Sequence, residues 1–277
     1  MSPVVVEIIL FVTVGAYAAA SGLYIAYLGN DRYPKAGVLA PRLLLAGTAL
    51  HAVHIVVSSF VFHVCPVESL HFALSVASML ACAIYLALSR RFAIGVIGAF
   101  VAPLALSFLL ASSLVGLTQP DRQYRSAILP IHVAANLVGD ALFMLAFAAA
   151  VAYLLQEKRL KQKNLLGAFR KLPPLDALDR AEHRFLLAGF PLLTTGIVTG
   201  AYWAHDVASG GPAYVARAAF AYATWVLFAA VLLLRAGAGW RGRKAAYGTI
   251  AGFSLAVLVL LVYLLRDTMA PSGVALL

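Results

Sequence analysis

The chain has 277 residues, 63% of them apolar and 12% charged, with a net charge of +10. A soluble domain carries about 25% charged residues, so a water-soluble globular fold is excluded. The two cysteines, Cys65 and Cys82, fall on or beside one predicted helix, about 25 Å apart at the helical rise. That spacing excludes a disulfide between them, and no CxxC pattern points to thiol chemistry.

Long apolar blocks dominate, several near the length of about 20 residues that a bilayer-spanning helix needs. The first, 4–28, has no Lys or Arg ahead of it and too long an apolar run for a signal peptide, so it is expected to stay as a helix. The second, 41–63, carries Thr48, His51, His54 and Ser58 as a polar stripe and ends at His63. The third, 67–88, sets His71, Ser75, Ser78 and Cys82 on one face. The fourth, 92–115, contains Pro103. The fifth, 130–155, sets His132, Asn136 and Asp140 at i, i+4 and i+8, again on one face.

A long basic connection, 157–184, follows. Leu165, Leu166, Phe169 and Leu172 among its cations predict a short helix lying on the membrane surface. Pro173-Pro174 breaks it, and the run from Leu175 reads as a lead-in to the sixth block, 185–204, which contains Pro191. A solvated linker adhering to headgroups is the plainer reading of this connection. The seventh and eighth blocks are 214–234 and 245–265. Gly237-Ala-Gly-Trp-Arg-Gly242 between them matches GxGxxG, but no strand precedes it, so the dinucleotide reading fails its context.

The pattern predicts an all-α fold: a polytopic membrane protein, a bundle of eight transmembrane helices in a single integral membrane domain spanning 1–277. Of the 21 Lys and Arg, all but Arg122, Arg125, Arg217 and Arg266 fall in the connections after blocks one, three, five and seven. Positive charge stays cytoplasmic, so both termini are expected outside. The basic charge therefore reports topology, and no nucleic-acid partner is expected.

Intramembrane polar residues are costly and face protein or water. By this topology His63, His71, His132 and His205 lie near the outer helix ends, while His51 and His54 lie about 14–18 Å deeper; His183 is cytoplasmic. Clustered imidazoles suit a metal ion, a haem or a proton relay. His51 and His54 could be two ligands of a metal, but no third is evident nearby. Haem needs one or two histidines, an apolar cleft, and cations for its propionates, and Arg122, Arg125 and Arg217 supply those outside. Against this, a helix-end histidine is ordinarily interfacial, Asn136 and Asp140 could simply bond between helices, and Tyr202 with Trp203 could be an interfacial aromatic belt.

Three segments carry a resemblance. "ILPIHVAANLVGDALFMLAFAAAVAYLLQEKRLKQK" (128–163), "LPPLDALDRAEHRFLLAGFPLLTTGIVTGAYWA" and "TWVLFAAVLLLRAGAGWRGRKAAYGTIAGF" resemble the cytochrome c assembly family, with its "IHV" histidine, "TGxxW" helix end and "GWRGRxAA" turn. The likeness covers roughly 128–255 and implies a family core at 128–265. Two branches are close: haem-handling proteins of cytochrome c maturation, and HemX-like proteins encoded with early tetrapyrrole enzymes.

The resemblance implies a non-enzymatic, multi-pass protein of the bacterial cytoplasmic (inner) membrane. It would bind and present haem, b-type and non-covalent, alongside other cytochrome c assembly proteins. His132 is the implied axial ligand, paired with His71 or His205, with Trp203, Asn136, Asp140, Arg122, Arg125 and Arg217 around the group. The family's tryptophan-rich outer loop is not kept: Ala208, Ser209, Pro212 and Tyr214 stand where tryptophans are expected, Val215 replaces an aspartate, and no histidine follows His205. Only Trp203 and Trp225, which frame the loop, remain. Two alternatives stand beside this reading: a HemX-like regulator acting on a tetrapyrrole-synthesis enzyme through the basic loop, and a small-molecule transporter.

Overall fold

The computed structural model describes residues 3–63, 70–91, 94–115, 128–162, 171–206 and 212–269. Among these residues the regular structure is wholly helical. The helices are α1 (Pro3–Gly29), α2 (Ala36–Phe62), α3 (Leu70–Ser89), α4 (Gly98–Val115), α5 (Leu129–Lys161), α6 (Leu175–Asp206), α7 (Pro212–Ala238) and α8 (Arg243–Met269). A single 3-10 turn, Gly95–Ile97, leads into α4. All eight helices are long and apolar enough to cross a membrane.

Two helices start well ahead of the sequence expectation, and α4 starts later than expected, at Gly98 rather than 92. Helix α2 begins at Ala36, ahead of Pro41 rather than at it. Pro41 therefore stands inside the helix, in its second turn, where it removes one i→i−4 backbone bond. Helix α6 begins at Leu175, so the expected lead-in is already helix. An apolar window finds only the hydrocarbon-spanning part of a helix. The first turns of α6 are amphipathic instead, burying Leu178, Ala181, Phe185 and Leu186 against the bundle while Asp176 sits in the first turn, where the helix dipole favours a negative charge. The surface helix expected over 165–172 lies outside the described residues except at its end, where Leu172 is buried.

Helix α5 is the axis of the bundle. Within its apolar window 67% of residues are buried inside the protein, against 17–44% in the other helices. Its buried side is mostly alanine: Ala141, Ala146, Ala148, Ala149, Ala150 and Ala152 are inaccessible to solvent. Small residues let helix backbones approach closely where lipid supplies no hydrophobic drive. Helix α6 packs along α5, α1 along α2, α3 along α4 and α7 along α8, and α3 and α8 also reach α5.

Candidate functional site

The α5–α6 seam has a strict antiparallel register, set by glycines on α6. A Cβ added at Gly189 would stand 2.7 Å from a ring carbon of Phe143, and one at Gly200 would stand 2.8 Å from Cε1 of His132. At Gly196 an added Cβ would collide with the side-chain amide of Asn136. The three α5 side chains thus lie across three places where α6 has no side chain. Gly196-Ile-Val-Thr-Gly200 is a small-xxx-small spacing, which is the sequence signal for this seam.

His132 is half-buried there. Its Nδ1 lies 2.8 Å from the Gly196 carbonyl and 3.2 Å from the Thr199 hydroxyl. A carbonyl accepts only, so Nδ1 carries the proton and Nε2 holds the lone pair. The Asn136 amide nitrogen is almost equidistant from the two ring nitrogens, at 3.2 and 3.4 Å. That position is over the face of the ring rather than in its plane, where a lone pair points. The amide donates instead to the His132 carbonyl, 2.9 Å away. Asn136 therefore braces the imidazole without occupying Nε2. Asp140, one turn further along, is half-buried.

A second polar cluster joins α1 to α4. Tyr17, His51, Ser75 and Ser78 are all fully buried, and His54, Ser58 and Ser112 nearly so. His51 Nδ1 meets the Tyr17 hydroxyl at 3.2 Å and Nε2 meets the Ser75 hydroxyl at 2.8 Å, so both its nitrogens are committed to hydroxyls. His54 meets Ser58 through Nε2 at 3.3 Å, and its buried Nδ1 has no partner among the described residues. Among those residues no group of three His, Cys, Asp or Glu converges as a metal site. His71 is 8% exposed and its Nδ1 donates to the Ser112 carbonyl at 2.7 Å, the tautomer also found at His132.

Of the four histidines expected at the outer helix ends, three have described surroundings. His63 closes α2 as its C-cap in the left-handed region, φ 52°. His71 is tied to α4 and His132 to α6. His205 and Trp203 lie on α6 and Arg217 on α7, but their side chains fall outside what is described, and Arg122 and Arg125 lie outside the described residues. Trp225 joins α7 to α6: its indole N–H donates to Thr194 at 2.9 Å and its ring stacks on Phe190. Cys82 is free and buried.

A family model described as "Cytochrome C assembly protein" matches residues 43–269. The chain belongs to the cytochrome c assembly protein family. The match takes in α2 to α4 as well as the segments that carry the recognisable motifs. Among curated relatives, a "Cytochrome c biogenesis protein CcsA" from Guillardia theta is 30% identical over 180 residues, 57% of this chain and 59% of that protein. Proteins of the same description from Synechocystis sp. and Crocosphaera subtropica are 38% identical over 86 residues and 35% identical over 100. Those alignments cover 26% and 30% of the relatives' lengths, so the chain matches less than two thirds of each of the three. With eight membrane-length helices and these relatives, this family member is a multi-pass membrane protein.

One cluster within the family match escaped the sequence reading. The carboxylate of Asp179 on α6 accepts from both terminal guanidinium nitrogens of Arg235 at the end of α7, and from the backbone N–H of Gly242 at 2.7 Å. Asp179 and Arg235 are 10% and 9% exposed in their side chains. Glu182, 1% exposed, accepts from Thr249 of α8 at 2.6 Å. The α7–α8 turn holds Gly239 and Gly242 at φ 67° and 63°, which explains two of the three glycines of the false dinucleotide motif: they are turn residues, and Gly242 aims its N–H at Asp179. The spacing of Asp179 and Glu182, one turn apart amid an apolar face, was the available signal.

Proposed function

We propose that this protein handles haem in cytochrome c maturation, with His132 as axial ligand. The observation that carries the proposal is the state of that imidazole: Nδ1–H is held by the Gly196 carbonyl and Nε2 keeps its lone pair. A histidine that ligates a metal ordinarily donates its other N–H to a carbonyl or carboxylate, which fixes tautomer and ring orientation. His132 has that arrangement before any ligand arrives, so its residues fit the group. Haem, once bound, would supply the iron to which such a nitrogen bonds.

The chain's own residues do the rest. Gly200 leaves room for the ring, Asn136 braces its face, and Thr199 shares the Nδ1 proton. His71, with the same tautomer from Ser112, is a candidate for the second axial position, as is His205. Arg122, Arg125 and Arg217 are candidates for the propionates. The cargo is b-type and non-covalent in this reading, and the partners are other assembly proteins in a bacterial cytoplasmic membrane.

The test is the absorption of the purified full chain. We expect a Soret band and a pyridine haemochrome, with most of the bound haem lost in His132→Ala. A colourless preparation from haem-replete cells that takes up no added haemin would overturn the proposal.

The tryptophan-poor stretch 208–215 favours one alternative, a HemX-like regulator, since a regulator need not keep a haem platform. Deleting the gene and measuring glutamyl-tRNA reductase decides this: a changed level supports regulation, and an unchanged level counts against it.

A further inference from the structure

Helix α3 turns a polar face toward α1, α2 and α4 along most of its length. His71, Ser75, Ser78, Cys82 and Tyr85 recur every three or four residues, and none is more than 8% exposed. The stripe runs about 21 Å at the helical rise, against a hydrocarbon core of about 30 Å. Ionisable groups inside a membrane are costly and mark ion pathways or proton relays, whereas buried hydroxyls also serve as fasteners between helices. The partner of each group separates the two uses. Ser78 donates to the Ala105 carbonyl at 2.7 Å, and His71 donates to the Ser112 carbonyl. A carbonyl only accepts, so these bonds run one way and fasten α3 to α4.

His51 is held differently. The Tyr17 hydroxyl lies on its Nδ1 at 3.2 Å and the Ser75 hydroxyl on its Nε2 at 2.8 Å. A hydroxyl both donates and accepts, so the imidazole can carry its proton on either nitrogen while every heavy atom stays in place. The titratable groups around it are few. Tyr17 comes from α1, His54 stands on the same helix with its ring centre 6.2 Å away, and Cys82 of α3 lies beside the Tyr17 hydroxyl together with Thr48. Helix α4 has no titratable side chain. Among the described buried residues of α1–α4 there is no carboxylate and no Lys or Arg, so no fixed charge pins the ring in one state. The polar groups continue to either side of it. Two turns along α1 the Tyr24 hydroxyl meets that of Tyr85 at 3.1 Å, and Tyr85 donates to the Gly95 carbonyl. In the other direction His54 pairs with Ser58 and has a buried Nδ1 without a partner among the described residues, the kind of atom that buried water ordinarily satisfies.

We propose that this seam moves protons through the α1–α4 half of the bundle, with His51 as its relay group. A proton reaching the Ser75 hydroxyl passes to Nε2. The proton on Nδ1 then leaves to the Tyr17 oxygen, whose own hydroxyl proton moves on toward Thr48 and Cys82. One proton enters and one leaves, so the ring ends neutral, as the other tautomer. Reorientation of the ring between passages restores the first tautomer. Imidazole suits this task because its two nitrogens exchange roles near neutral pH. The pathway is independent of haem at His132, which belongs to the α5–α6 seam.

The full chain in liposomes tests this, with a potassium diffusion potential set by valinomycin and proton uptake read from an entrapped pH dye. We expect uptake faster than in protein-free liposomes. Tyr17→Phe keeps the buried ring and removes only the hydroxyl, and it is expected to lose the added uptake. Ser78→Ala, on the same stripe but bonded to a carbonyl, is expected to keep it. Gel filtration checks that both variants fold. A second measurement needs no variant: nitrogen NMR of the histidine-labelled chain in bilayers. His71 and His132 are expected as the Nδ1–H tautomer alone, and His51 as both tautomers. Uptake no faster than in protein-free liposomes, equal uptake by Tyr17→Phe and the unaltered chain, or a single tautomer at His51 would each overturn the proposal.

Discussion

Gly200 shows how much one missing side chain can decide. A methyl group added to its Cα would stand 2.8 Å from Cε1 of His132, inside the contact distance of carbon atoms. Gly200→Ala is therefore expected to push the imidazole off the Gly196 carbonyl and to lower haem uptake about tenfold. The measurement is a haemin titration followed at the Soret band. Gly189→Ala presses on Phe143 instead; it is expected to lower the melting temperature while leaving haemin affinity within about twofold, being well removed from the histidine. Equal loss of affinity in both variants would show that the seam as a whole, and not the ring's position, sets binding.

At the scale of elements, the Asp179–Arg235–Gly242 cluster ties the base of α6 to the end of α7 and the following turn. Removing one partner of a buried ion pair leaves an uncompensated charge and costs about 3–5 kcal/mol. Asp179→Asn is expected to destabilise the protein by that order, and Arg235→Met likewise. The double variant Asp179→Asn with Arg235→Met should be less destabilised than the sum of the two, because no charge is left buried alone. Thermal unfolding of the four proteins in one detergent closes the cycle; strict additivity would mean the two groups do not interact. The same cluster accounts for what periodicity could not show. Asp179 and Glu182 sit in a stretch expected to be a polar lead-in, and their partners Arg235 and Thr249 are more than fifty positions away.

For the whole molecule, we propose from the charge distribution that both termini lie outside. Reporter fusions after Arg91 and after Arg241 are expected to report the cytoplasm, and a fusion after Ser113 the outside. A fusion series with the opposite sign would invert the assignment. Alternating loops with this bias leave little freedom, since one missed helix would scramble it.

What the sequence determined by itself was the set of membrane helices, their order, and the faces that carry polar groups. Hydrocarbon demands about twenty apolar residues and punishes every unpaired polar group, so both marks are written locally. The His132–Asn136 face was legible because i and i+4 share a side of any helix. Only the tertiary structure decided what those faces meet. It gave His132 the Gly196 carbonyl and His71 the Ser112 carbonyl, while His51 received hydroxyls on both nitrogens. These outcomes separate three histidines that look alike in the chain. The physical reason is that an imidazole's chemistry depends on which of its nitrogens keeps the proton, and that is settled by the atom packed against it from another helix.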